Sequence, residues 1–263
     1  MIFYYILKIL HMFSVREIFK YISFLKDSLW YNVGSEYFFD EFIKSSLNLF
    51  KNMFYLQVFI SCMIGVISCM NIFKIFSYSP LPIVNAENFV PTSILTASLM
   101  EVIPIFIFML HLGLSSIPIS MQTCRRRIEG RFEFLTSLKV NAVAYAALTN
   151  ILSTLIVVPM IVTFCCLFIL LAAAFSCFFF SDVDVLSFMH GYVSFLNGRY
   201  IFFCFLKTTF LCVVGSSIAP YIGYFYVLKE AEDISSVGVK CFFVCCLFFL
   251  ACDFVFNVLF FLF

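Results

Sequence analysis

The most constraining feature of this chain is the recurrence of apolar runs of about twenty residues or more. They cover roughly Met53–Phe76, Thr92–Ser120, Val140–Phe180, Tyr200–Leu228 and Val239–Phe263, and the hydrocarbon core of a bilayer asks for about 20 apolar residues per helix. A water-soluble fold could not absorb them. Of 263 residues, 63% are hydrophobic and only 12% charged, with a mean hydropathy of +1.08, so burying the runs would leave too few polar side chains to cover a surface. The apolar solvent must be lipid. The sequence predicts an all-α integral membrane protein that crosses the bilayer about five times.

Charge placement sets the count and the direction. The third run is near forty residues, about twice the hydrocarbon thickness at the usual helical rise, so its length alone fits two crossings or one long helix bent near Pro159. Before the first span lie Lys8, Arg16, Lys20, Lys26, Lys44 and Lys51. Between the second and third lie Arg125, Arg126, Arg127, Arg131 and Lys139, and between the fourth and fifth Lys229 and Lys240. The intervening stretches, Ser77 to Pro91 and Ser181 to Gly198, carry only Glu87, Asp182 and Asp184. Positive and non-positive loops thus alternate as five crossings require, with the N-terminus inside and the C-terminus outside. Splitting the third run would break the alternation.

Ahead of the spans, residues 1–45 read as a separate N-terminal region and 46–263 as the transmembrane domain. The opening MIFYYILKILHMF is too short to span and lacks a small-residue cleavage site. From Ser14 to Tyr31, Ile18, Ile22, Leu25 and Leu29 recur at helical spacing, opposite Arg16, Glu17, Lys20, Lys26 and Asp27. That pattern predicts an amphipathic helix lying in the membrane interface, with Trp30 and Tyr31 as aromatic anchors.

Several function classes fall away. A net charge of +1 with no basic stripe argues against a nucleic-acid partner. Cysteines such as Cys62, Cys69, Cys165, Cys166, Cys241, Cys245, Cys246 and Cys252 sit in apolar runs and read as packing residues. His11, His111 and His190 stand alone, so no metal site is expected. There is no phosphate-cradling glycine loop and no nucleophile elbow, so the chain is expected to be no enzyme and to hold no cofactor. Three ionisable residues fall within or beside the spans: Glu101, Lys207 and Asp253. Intramembrane charge marks a functional site by default. Each also has a plainer reading: Glu101 bonding within the bundle near Pro104, Lys207 snorkelling, Asp253 pairing with a neighbouring helix.

The order of residues carries more. From Glu101 the chain reads EVIPIFIFMLHLGLSSIPISMQTCRRRIEGRFEFLTSLKVNAVAYAALTNILSTLIVVPMI, and from Lys229 KEAEDISSVGVKCFFVCCLFFLACDFVFNVLFF. The first block resembles the MlaE-type permeases of lipid-transporting ABC systems. Glu101 and Pro104 match the family's opening, Gly113 its first glycine, Glu133 its acidic position, Leu135 its leucine, Asn141 and Tyr145 its [DN]-P-x-x-Y element, and Pro159 a proline in the third span. In the second block Ala231, Glu232, Asp253 and Phe254 fall where the family carries an Ala-Glu and an Asp-Phe pair. The chain departs at Leu114, Ser116, Gln122, Cys124 and Ala142. Where family members present a coupling helix, it has the basic stretch MQTCRRRIEGRFEF, with Gly130 expected to weaken a helix there by about 1 kcal/mol.

The resemblance implies a homodimer whose central cavity carries phospholipid from the membrane, worked by a separate ABC ATPase on the inner side and joined outside to an MCE-domain protein. It implies that Met121–Phe134 moves with the ATPase, with Arg125, Arg126, Arg127, Glu129 and Glu133 as coupling residues. A plainer role for this loop is to fix topology and bind anionic lipid. Two further readings stand beside this one. The altered loop and the 39 phenylalanines suit a former permease kept as a structural subunit of a larger complex in an organellar (mitochondrial or plastid) inner membrane, against the bacterial inner membrane of an ordinary permease. An ion- or proton-translocating subunit is disfavoured because three separated charges give no continuous relay.

Overall fold

The computed structural model describes residues 15–29, 36–77, 98–138, 140–180, 198–225 and 234–262. The expectations for Met1–Phe13, Trp30, Tyr31, Lys139, Lys229, Ala231, Glu232 and most of the two non-positive loops lie outside them. The described residues form α1 (Val15–Leu29), α2 (Glu36–Ser77), α3 (Ile103–His111), α4 (Ile117–Ile128), α5 (Arg131–Ser137), α6 (Ala142–Phe180), α7 (Gly198–Phe225) and α8 (Ile234–Leu262), with π-helical turns at Ser98–Val102 and Leu112–Ser116. Five stretches are long and apolar enough to cross a membrane: Phe39–Asn71, Leu99–Ile128, Ala147–Phe179, Gly198–Phe225 and Ile234–Leu259. The fold is all-α, as the apolar runs predict.

One feature differs from the sequence reading in detail, and another settles in favour of the single crossing. The first span begins well before Met53, because α2 is one helix of 42 residues, about 63 Å at the usual rise and twice the hydrocarbon thickness. Nothing between Glu36 and Asn52 breaks it, since that stretch holds neither Pro nor Gly. Residues 142–180 form one continuous helix with Pro159 inside it. Thr163 donates its hydroxyl to the Pro159 carbonyl at 3.0 Å, which is a carbonyl still within the helix ladder.

The chain divides into two compact units. The first contains Met1–Leu49, Leu110–Ile156 and Leu211–Phe263. In it α4 lies against α7 and α8 at small residues. A Cβ on Gly223 of α7 would strike the Ser120 carbonyl and come within 2.8 Å of the Thr123 Cβ, so backbone meets backbone there. Gly238 of α8 faces Ile117 and Met121, with a Cβ position 3.1 Å from each. Small residues at helix contacts are how membrane helices approach closely when lipid supplies no hydrophobic drive.

α1 belongs to this unit and packs on it through aromatic side chains rather than through Ile22 of its aliphatic stripe. Phe24 is 2% exposed whereas Ile22 is 53% exposed. Phe24 packs its ring on Tyr221 at 5.4 Å and on Phe225 at 6.0 Å, and Tyr21 meets Tyr221 at 5.3 Å. The Tyr21 hydroxyl bonds with Ser217, and burial pushes its phenol pKa up to about 12. Aromatic rings bury more area than the aliphatic side chains and find edge-to-face partners; Ile22 and Phe19 are left outward, as suits a helix that also lies against lipid.

The second unit contains Phe50–Met109 and Val157–Phe210. On α2 Met53, Gln57, Ser61, Gly65 and Cys69 are buried, and on α6 Val157, Ile161, Cys165, Ile169, Ala173 and Cys177. Both stripes repeat every four residues, the pattern of i±4 ridges meeting in a right-handed crossing. Phe54 meets Phe164 at 5.2 Å, a Cβ on Gly65 would come within 2.5 Å of the Ile169 carbonyl, and Cys69 meets Cys177 at 3.4 Å. Residue numbers rise together on both helices, so the first and third spans run parallel. That direction fits a single crossing between them.

Candidate functional site

Two polar centres stand out, one in each unit. The first is the turn between α4 and α5. α4 ends where Glu129 donates its N–H to the Arg125 carbonyl at 3.0 Å and Gly130 donates to Arg127 at 3.0 Å. Gly130 has φ 71° and ψ 10°. It is therefore the left-handed residue that closes one helix and opens the next, and the expected penalty for a glycine inside a helix does not arise. The sequence reading placed it mid-helix; the chain breaks the helix there instead.

Arg127 and Phe132 hold the turn down. Arg127 donates to the Tyr224 carbonyl, one of the last four carbonyls of α7 that have no helical partner, and its guanidinium lies 5.5 Å over the Tyr224 ring. A cation at a helix C-terminus also meets the negative end of the helix dipole. Phe132 is buried against Ala142, Leu135 and Tyr224. Arg126 lies 5.8 Å over the Tyr145 ring, and the Tyr145 hydroxyl donates to Glu41 of α2 at 3.3 Å.

Asn141 joins two more helix ends. Its side-chain oxygen accepts the Ala144 N–H at 3.2 Å, capping α6, while its amide nitrogen donates to the Asp27 carbonyl at the end of α1 at 3.0 Å. The side-chain amide accepts at one end and donates at the other. α1, α2, α6 and α7 are thus all tied to the neighbourhood of the turn.

The remaining polar groups of the turn face outward. Arg125 Nε lies 2.9 Å and Arg131 Nε 2.7 Å from the two oxygens of Glu129, with the arginine side chains 73% and 65% exposed. The hydrogen bond from Arg125, with Arg131 adding to it, holds the Glu129 carboxyl below its usual range. Glu133 is exposed on α5. Of the five predicted coupling residues, Arg125, Glu129 and Glu133 are at the surface, and Arg126 and Arg127 lie across aromatic rings.

The second centre is an intramembrane ion pair. Lys207 of α7 is 0% exposed, and its ammonium donates to the Met100 carbonyl at 3.0 Å and lies 3.6 Å from Glu101, whose side chain is 43% exposed. The cause is local. Pro104 has no N–H, so the Met100 carbonyl four residues earlier, in the π-helical turn Ser98–Val102, cannot take an α-helical donor from it. Lys207 supplies one. Lys207 does not snorkel, and two of the three expected intramembrane charges form one pair. Asp253 belongs to the other unit and accepts from Asn257 of its own helix at 3.3 Å. His111 is fully buried, and among the described residues no group of three or more His, Cys, Asp or Glu is brought together.

The order of spans, the proline beside an intramembrane glutamate, the turn after the second span and the Asn141–Tyr145 element coincide with one family. The sequence model of Permease MlaE matches residues 28–259. This chain belongs to the MlaE permease family. Comparison with curated proteins returns no match. The permease is therefore a multi-pass membrane transporter component whose match runs from the end of α1 to near the end of α8.

The sequence reading did not find Tyr224, Phe132, Gly223 or the Met100 carbonyl. Each acts on a residue distant in the chain, and only Pro104, four positions after Met100, left a signal in the sequence.

Proposed function

We propose that this permease moves phospholipid between membranes, driven by a separate ABC ATPase that engages the turn Met121–Phe134. The observation that carries the reading is the build of the turn. Arg127 and Phe132 fix it to the end of α7, while Glu133 and the ion-paired Arg125, Glu129 and Arg131 are exposed where a partner can reach them. Because the backbones of α4 and α7 meet at Gly223 and the Ile117 and Met121 side chains of α4 rest on Gly238 of α8, a push on the turn would pass directly to two further spans. Close-packed interfaces shift between discrete arrangements rather than deform smoothly.

In this reading two copies enclose the lipid, an MCE-domain protein stands on the far side, and the Lys and Arg distribution puts the turn and the N-terminus inside and the C-terminus outside. ATP hydrolysis belongs to the partner. Glu101 and Lys207 form a polar point among apolar spans, suited to hold one conformation of the pair α3 and α7.

The test is gentle solubilisation of the native membrane, capture of this chain and mass spectrometry of what accompanies it. Stoichiometric recovery of an ABC ATPase and an MCE-domain protein supports the reading. Recovery with the subunits of a large organellar complex and no ATPase overturns it in favour of a scaffold role.

A further inference from the structure

Cys69 of α2 and Cys177 of α6 are 108 residues apart in the chain, yet their sulfurs lie 3.4 Å from each other. They are 1% and 0% exposed. Each closes the period-four stripe of its helix, one turn beyond the place where Gly65 meets Ile169, Ala172 and Ala173. That approach brings the two backbones into contact one turn away, which sets the short distance between the two thiols. A disulfide bond is about 2.05 Å long, so the sulfurs need to close by about 1.4 Å from their 3.4 Å separation. The next residues along each helix, Met70 and Phe178, are exposed, which puts the pair one side chain below the outer surface.

We infer that Cys69 and Cys177 form a reversible disulfide clasp that covalently fixes the first span to the third. The step is thiol–disulfide exchange with a small apolar disulfide that dissolves in the bilayer. One cysteine loses its proton and attacks the reagent, forming a mixed disulfide and releasing one thiol. The second cysteine then attacks the first sulfur, the Cys69–Cys177 bond forms, and the other half of the reagent leaves as a second thiol. The reagent is reduced by two electrons and the cysteine pair is oxidised by two. The other sulfur pair in contact, Cys241 and Cys245, lies at 4.0 Å on a single helix and joins nothing.

The test uses the full chain in lipid nanodiscs treated with 2,2′-dipyridyl disulfide, then alkylation of the remaining thiols after unfolding, and peptide mass spectrometry. The clasp predicts a peptide pair linked through Cys69 and Cys177, loss of that link on reduction, and two released pyridinethiones for each link. In Cys69→Ser the reagent instead stays on Cys177 as a stable mixed disulfide. Mixed disulfides that accumulate on Cys69 or Cys177 of the unaltered chain without resolving overturn the proposal. So does full alkylation of both residues under conditions that modify the half-exposed Cys62 and Cys166.

Discussion

Removing one member of the Lys207–Glu101 pair should cost stability in a way that depends on whether the other is present. At 3.6 Å two unit charges attract by about 4 to 5 kcal/mol at an effective dielectric constant of about 20. Glu101 is 43% exposed, and polar pairs between membrane helices average well under that figure, so the coupling left is about 1 to 2 kcal/mol. Lys207→Met keeps the length of the side chain but leaves the Met100 carbonyl without the donor that Pro104 cannot provide, a cost of about 1 to 3 kcal/mol. Glu101→Gln should cost about 1 to 2 kcal/mol alone, because the buried ammonium loses its counter-charge. In the Lys207→Met background the same change should cost less than about 0.5 kcal/mol. The assay is SDS-induced unfolding of the four proteins of this cycle, followed by thiol-reactive dye, since most of the twelve cysteines are buried. Equal costs of Glu101→Gln in both backgrounds would refute the pairing.

Gly223→Ala forces a Cβ onto the Ser120 carbonyl and should destabilise by about 1 to 3 kcal/mol, whereas Gly113→Ala, which meets nothing within 4 Å, should be near neutral in the same unfolding assay. Gly130→Ala places a side chain at φ 71° and should cost about 1 to 2 kcal/mol, read as faster amide exchange across residues 125–137. Glu129 should give a pH dependence confined to acid. Its carboxyl pKa is depressed by Arg125 and Arg131, so the contribution to turn order is present above the ordinary value of 4.5 and disappears as the pH falls through the lower value in the folded protein. The protection factors of the turn amides, taken relative to the intrinsic exchange rate at each pH, should therefore stay flat near neutrality and fall only below that range, and Glu129→Gln should remove the fall. An unchanged acid response in Glu129→Gln would contradict the assignment.

What the sequence made legible follows from how local each cause is. Span number and the single long third helix could be read because run length and charge alternation are properties of contiguous residues, and the parallel register of Phe54 on Phe164 and Cys69 on Cys177 agrees with them. The reach of α2 back to Glu36 was missed because polarity marks where a helix leaves lipid, not where it ends. The packing of Tyr21 and Phe24 of α1 was not legible, because their partners Tyr221 and Phe225 lie some 200 residues away. The period-four stripe of Gln57, Ser61, Gly65 and Cys69 was present in the sequence, but an almost wholly apolar helix hides which side meets protein. At the turn, the sequence reading named five residues as a group. Their division into Arg126 and Arg127, which lie on aromatic rings, and Arg125, Glu129 and Glu133, which face outward, depends on Tyr145 and Tyr224, and no spacing rule connects them.

The central claim, that the exposed side of the turn is where an ATPase drives this permease, is tested most directly by placing a photo-crosslinking residue at Arg131 in native membranes and identifying what it captures. The account predicts one dominant adduct, with a nucleotide-binding ATPase subunit, whose yield changes when nucleotide is trapped with vanadate. Capture of lipid alone, or of a subunit without a nucleotide site and with no response to nucleotide, would contradict it.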